Sequence, residues 1–240
     1  MNLIVMGPAG GGKSTFVKAY SHYLGQKGYQ VKVVNLDPAS EPIYPTSANI
    51  RDFVKTEEVM KAYGLGINGA LLKSMELAVE YVERLTVEGE FVLYDTPGQM
   101  ELFLYSEAGN KFIKEIASDP FTVGLFIVDC GTAADPENFV SILAQNTVVS
   151  LRTALPTLTV FNKIDLQNVE HELDLNVESV KKDISRRGGV LAELLEGLLV
   201  FVEQTTVNYR PLKVSSTLSQ GFEEVFHAVN EVFCSCGDIS

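Results

Sequence analysis

Cysteine is scarce. In 240 residues only Cys130, Cys234 and Cys236 occur, too few and too unevenly placed for a disulfide framework, which points to a reducing compartment. Basic residues are also in deficit, 19 Lys and Arg against 31 Asp and Glu, for a net charge of −12. That excludes a broad phosphate-neutralising surface for DNA or RNA but leaves room for a local cationic pocket. No apolar stretch approaches the ~20 residues of a membrane span. The opening "MNLIVMGPAG" has no basic segment ahead of its short apolar run. The expectation is a soluble cytoplasmic protein with no membrane and no direct nucleic-acid partner. Repeats, low-complexity tracts and long linkers are missing too, so 1–240 reads as one domain, and 46% hydrophobic content suffices for its core. His22, His171 and His227 are scattered, and "CSC" at 234–236 lacks a second ligand pair, so no zinc site is expected.

What is present is an alternation. Short apolar runs at 2–6, 31–35, 90–95, 123–129, 158–162 and 212–216 read as strands, each long enough for a buried parallel position. Helical spacing occupies 13–27, 135–153, 189–204 and 221–233, and 49–86 reads as mostly helical, broken by glycines in "YGLGINGA" at 63–70. The polar stretch 167–188 reads as a surface insertion. Strands alternating with helices predict an α/β fold with three layers, a mostly parallel central sheet covered on both faces, plus helical insertions. Ligands in such a sheet sit at the carboxyl ends of the strands, so informative residues should follow each apolar run.

They do. After the first run comes "GPAGGGKS", from Gly7 to Ser14, with Thr15 next: the G-x-x-x-x-G-K-[ST] pattern of a P-loop NTPase. Gly7, Gly10, Gly11 and Gly12 let backbone N–H groups wrap phosphate oxygens, and the following helix adds its positive N-terminal end. Lys13 is expected to bridge β- and γ-phosphates and Ser14 to ligate Mg²⁺. From average residue frequencies, a chance match in a chain this long has odds on the order of one in a hundred. Asp95 closes the strand of "VLYDTPGQME" as the expected metal carboxylate, and the Gly98 N–H is placed to meet a γ-phosphate. Asp37, closing "VVNLD", is a further metal ligand and the favoured residue to orient or deprotonate the attacking water; a turn role before Pro38 is its alternative. Gln99 competes for the water.

"LTVFNKID" places Asn162, Lys163 and Asp165 beyond another strand. Guanine offers two adjacent donors that one carboxylate accepts, and adenine offers no such pair, so Asp165 selects GTP over ATP. Asn162 ties this loop to the phosphate loop, and the Lys163 stem covers the base. Ser215 and the N–H of Ser216, in "VSSTLSQGFEEV", are candidates to close over the guanine O6, or to cap the helix that follows.

The order of these elements, with "YGLG-x-NGA" between "NLDPA" and "DTPGQ-E-F", resembles the GPN-loop GTPases, P-loop GTPases of the SIMIBI class. The resemblance spans the chain, including "IRDFV" at 50–54 and "EAGNKFI" at 107–113. It implies a homodimer in which Asn68 reaches the phosphates of the partner's site, with Gly66 and Gly69 letting the loop pack closely. It also implies GTP hydrolysis to GDP and phosphate, output as a switch or assembly factor, and client proteins, since eukaryotic relatives are linked to RNA polymerase assembly. One departure stands out: the family's proline is Ile67. Asn68 has a second reading as a helix N-cap; no arginine finger is evident, and Arg51, an unforced candidate for one, reads rather as a solvated helix residue. Two rival functions are a nucleotide-gated binding module with incidental turnover and an ATP-driven P-loop dimer.

Overall fold

Strand residues of alternating orientation decide the layering. The computed structural model describes residues 1–166, 177–187, 189–205 and 211–234. It contains β1 (Asn2–Met6), β2 (Val31–Asn35), β3 (Ala48–Asn49), β4 (Phe91–Asp95), β5 (Thr122–Asp129), β6 (Thr157–Asn162) and β7 (Leu212–Lys213). These form one seven-stranded sheet in the order β3-β2-β4-β1-β5-β6-β7, and every strand pair is parallel. The helices are α1 (Lys13–Gln26), α2 (Thr56–Tyr63), α3 (Ile67–Ala78), α4 (Val82–Leu85), α5 (Met100–Tyr105), α6 (Glu107–Ile116), α7 (Pro136–Thr153), α8 (Val177–Arg187), α9 (Val190–Thr205) and α10 (Phe222–Cys234). Within β1, Leu3 and Val5 face a core shared with α1 and α10. Ile4 and Met6 face the opposite core, filled from α3, α5, α6, α7 and α9. Period-two patterning thus yields the three-layer α/β architecture expected.

Two stretches differ from the sequence expectation. The run 49–86 begins as strand, because Ala48 and Asn49 pair with Val34 and Asn35 at the sheet edge, and a turn of 3₁₀-helix follows at Ile50–Asp52. One alanine and one asparagine are too short a run to show a pattern, so pairing alone reveals that strand. The last strand is shorter than 212–216, since β7 stops at Lys213 and only an isolated antiparallel bridge joins Ser215 to Gln220. Part of the proposed insertion, α8, packs Val180 and Ile184 into the core; 167–176, His171 and Cys236 lie outside the described residues, as does the side chain of Cys234. Among the described residues no helix is long and apolar enough to cross a membrane.

The glycine-broken stretch resolves into punctuation between helices. Gly64 ends α2 in the left-handed region at φ 63°, and Gly66 is the N-cap of α3. Ile67 is therefore the first residue of α3, the position proline favours because its N–H needs no intrahelical partner. The helix starts there without proline.

In the α1–α10 layer, Tyr20 stacks on Phe16 at 5.1 Å and meets Phe222 edge-on at 5.4 Å. Its hydroxyl is buried without a hydrogen-bond partner among the described residues. Tyr20→Phe is therefore expected to stabilise the fold by about 1 kcal/mol in urea unfolding, because it removes an unmet donor while keeping the ring. A comparable loss of stability would show that the hydroxyl is satisfied after all.

Candidate functional site

The chain leaves β1 into Gly7 with a φ of 138°, where a Cβ would stand 2.2 Å from the Ile127 carbonyl oxygen. Only glycine lets the phosphate loop pass that close to β5. At the other end Gly12, φ 90°, caps α1, and a Cβ there would meet Asn162 Nδ2 at 2.5 Å. Lys13 is buried, and its Nζ donates to the carbonyls of Gly7 at 2.8 Å, Pro8 at 3.2 Å and Gly98 at 3.3 Å. Burial lowers its pKa, opposed by the negative charges of Asp95, Asp37 and Glu101. Ser14 is half-buried and Thr15 exposed in the first turn of α1.

Asp95 is buried at the tip of β4, level with Val5 and Asn35. Its Oδ2 accepts from the Tyr44 hydroxyl at 2.6 Å, and the Ser14 hydroxyl also hydrogen-bonds the carboxylate. Burial nevertheless pushes the carboxyl above the usual aspartate range, against the pull of Tyr44, Ser14 and Lys13. Its Oδ1 is buried and unpartnered among the described residues. An open carboxylate lone pair beside a hydroxyl suits Mg²⁺, which takes few protein ligands and completes its octahedron from water and phosphate oxygens. Among the described residues no group of three or more His, Cys, Asp or Glu side chains is placed to hold a metal ion, so an ion here would rely on those outside oxygens.

Asp37 is buried just beyond β2. Its Oδ1 accepts from the Ala39 N–H at 2.8 Å, so the turn role and the site position coexist. Its Oδ2 accepts from the Gly98 N–H at 3.3 Å, which occupies the amide expected to face a γ-phosphate. Gln99 is exposed at the start of α5, and its side chain makes no hydrogen bond among the described residues.

On the other flank Asn162 Nδ2 donates to the Gly11 carbonyl at 3.1 Å, the tie to the phosphate loop that the sequence suggested. Its Oδ1 accepts from the Ser216 N–H at 3.1 Å and the Ser216 hydroxyl at 2.8 Å. The Ser216 N–H is thus spent on Asn162 and does not stand free for a base oxygen. Ser215 Oγ donates to Asp165 Oδ1 at 2.5 Å, leaving the exposed carboxylate oriented by a buried hydroxyl. Lys163, at a φ of 67°, sends its Nζ to the Gly10 carbonyl at 2.6 Å and Asp129 Oδ2 at 2.8 Å. Asp129, Lys163, Gly10 and Gly11 line a cavity of about 470 Å³ that reaches Ile142 and Gln145 of α7.

Three residues near the site escaped the sequence reading or were misread. Asp129 closes β5 as Asp37 and Asp95 follow theirs, a signal that was visible in "FIVDC". Tyr44 sits in a loop with no local mark, and only the fold brings it to Asp95. Arg51 is a correction: it is 5% exposed, not solvated, and donates to the Pro38 carbonyl at 2.7 Å. Asn68 falls in the first turn of α3 and is not its cap, which is Gly66. Asn68 is exposed and unpaired among the described residues, beside Ile67 at 53% exposure.

Comparison with known proteins gives a consistent picture. A protein-family model described as "Conserved hypothetical ATP binding protein" matches residues 5–235. A GPN-loop GTPase of Pyrococcus abyssi is 30% identical, with all of both chains covered. The crystal structure of a GTPase in apo form from the same organism superposes with a TM-score of 0.86 at 27% identity, covering 98% of each chain. GPN-loop GTPase 1 of Dictyostelium discoideum is 29% identical over 95% of this chain, which spans 60% of that relative's length.

The raised Asp95 carboxyl carries a pH signature in the ligand-free protein. The folded chain holds this proton to higher pH than the unfolded chain, whose aspartate titrates near ~3.9. Unfolding therefore releases a proton above that value, and the fold loses stability as pH rises through the window. Asp95→Asn is expected to raise ligand-free stability at pH 7, a gain that fades below about pH 4. Urea unfolding at both pH values checks this; an equal gain at each would assign the effect to packing.

Proposed function

The chain belongs to the GPN-loop GTPase family, and from that premise we propose that it hydrolyses GTP to GDP and phosphate as a Mg²⁺-dependent dimer. The observation that carries the reading is Asn162, whose one side chain joins the phosphate loop at Gly11 to the Ser216 loop. That junction sets the base-reading carboxylate Asp165 at a fixed distance from Lys13 and Ser14. A guanine presents its N1–H and exocyclic amine to Asp165; adenine has no such pair. This favours GTP despite the ATP named in the family model's description.

Lys13 exchanges its three carbonyl partners for β- and γ-phosphate oxygens, which match its charge better. Ser14 and Asp95 are the residues that would hold Mg²⁺, through the hydroxyl and the open Oδ1. The ion, when bound, neutralises charge that grows on the transferring phosphate. Asp37, with both oxygens already accepting from amides, serves the water in preference to the metal. When a γ-phosphate takes the Gly98 N–H, Asp37 Oδ2 loses that donor and gains a lone pair for the attacking water. GDP lacks that phosphate, so Asp37 stays engaged by Gly98. Gln99 has no comparable anchor.

Dimerisation belongs to the same proposal: exposed Ile67 and unpaired Asn68 at the start of α3 form the edge that a second copy would cover. Client proteins would read the resulting change of shape, in a cytoplasmic setting consistent with buried, unpaired Cys130.

Two outcomes are expected. Asp37→Ala should lower kcat by about 100-fold or more while GTP affinity changes little; unchanged turnover would transfer the water to another residue and overturn this assignment. GTP should displace a fluorescent guanine nucleotide at a concentration about tenfold or more below that of ATP, and equal displacement would defeat the base reading.

A further inference from the structure

The mechanism above makes no use of Arg51, yet this side chain is withdrawn from water among its own counter-charges. Its Nη1 donates to the Pro38 carbonyl at 2.7 Å and to Glu57 Oε2 at 3.2 Å. Its Nη2 donates to Glu57 Oε1 and Glu41 Oε1, each at 2.6 Å. The two glutamates are largely in solvent, at 49% and 74% exposure, and reach in toward a guanidinium at 5%. The Arg51 Nε–H is buried with no partner among the described residues.

A buried ion pair of this kind is weak evidence for stability, since its desolvation cost offsets most of the attraction. What it does supply is geometry, because a planar fork with fixed donor directions locates whatever it holds. Here it holds the peptide that follows Asp37. The Pro38 carbonyl also accepts from the Thr56 N–H at 3.0 Å. The carbonyl of Asp37 itself accepts from Asn35 Nδ2 at 3.1 Å, and Asn35 Nδ2 in turn donates to Asn49 Oδ1 at 2.9 Å. Asn49 Oδ1 accepts from the backbone N–H of Arg51 at 3.1 Å, which closes the circuit. The carbonyls of Asp37 and Pro38 are thus both held by one network, with Arg51 on its outer side.

We infer that Arg51 is a positioning residue: by gripping the Pro38 carbonyl it keeps the Asp37 carboxylate in place while the Gly98 amide changes partner. This rests on the proposed role of Asp37. In the ligand-free state that carboxylate has two amide anchors, Ala39 and Gly98. Once a γ-phosphate takes Gly98, one anchor remains, and the backbone must supply the rest of the alignment. A displacement of about 1 Å in such a group costs on the order of 100-fold in rate. Lysine cannot replace the fork, because it offers a point charge on a flexible stem.

The test uses the full chain and GTP. Arg51→Met is expected to lower kcat about ten- to a hundredfold, with KM changed by less than about threefold. Arg51→Lys should recover little of that loss. In the double variant Asp37→Ala/Arg51→Met, turnover should fall no further than in Asp37→Ala alone, as required of a residue that acts through another. Should Arg51→Met fail to fold, Glu41→Gln/Glu57→Gln carries the same cycle with a smaller loss of about threefold. Turnover of Arg51→Met within twofold of the parent, or a loss that adds in full to that of Asp37→Ala, would overturn the inference alone. Unchanged turnover in Asp37→Ala would instead remove the Asp37 reading and this one together.

Discussion

Asn162 sets the spacing on which the rest of the site depends. Its amide is buried and has both ends engaged, the nitrogen on Gly11 and the oxygen twice on Ser216. Such a satisfied polar group in a dry interior is rigid, because any displacement leaves an unmet donor or acceptor. Strand register delivers it there: Asn162 lies level with Asp129, and Phe126 lies level with Met6 at the end of β1. The Asp129 turn and the Asn162–Asp165 loop therefore leave the sheet at one height, three residues beyond the level at which β1 gives way to the phosphate loop, which lets Asn162 reach that loop from above. Gly12 completes the fit, since a side chain there would strike the amide.

Around that frame the site gathers charge in a place that disfavours it. Lys13, Asp95 and Asp37 are all buried, and burial moves Lys13 and Asp95 toward their neutral forms. The protein tolerates this through local compensation. Three carbonyls surround the ammonium, a tyrosine hydroxyl and a serine serve Asp95, and two amides serve Asp37. One oxygen, Asp95 Oδ1, is left over. Partners such as Gly98, which offers its carbonyl to Lys13 and its N–H to Asp37, are shared across opposite charges, so an incoming phosphate would rearrange several contacts at once. Under the proposed reading that coupling is how the segment after β4 would register the γ-phosphate.

Much of this was legible beforehand. The six apolar runs became strands, and the tie between Asn162 and the phosphate loop appeared as expected. Edge strand β3 was not legible, because Ala48 and Asn49 are too short a run to show alternation and depend on β2 for their assignment. Arg51 was misread for a related reason. Its charge argued for solvent, and nothing local announces that two glutamates and a carbonyl will close around it. The glycines at 63–70 suggested a disrupted segment, whereas two of them end one helix and begin the next.

By itself, then, the order of residues determined the parallel α/β layering, the phosphate loop and the kind of chemistry each strand tip can offer, since those follow from spacing within a dozen residues. Only the folded chain decided which tips meet. Tyr44 with Asp95, Asp129 with Lys163, and Arg51 with the peptide after Asp37 each join separate segments. Their distances depend on sheet register and loop path. A hydrogen bond is selective over a few tenths of an ångström, and no local pattern encodes that.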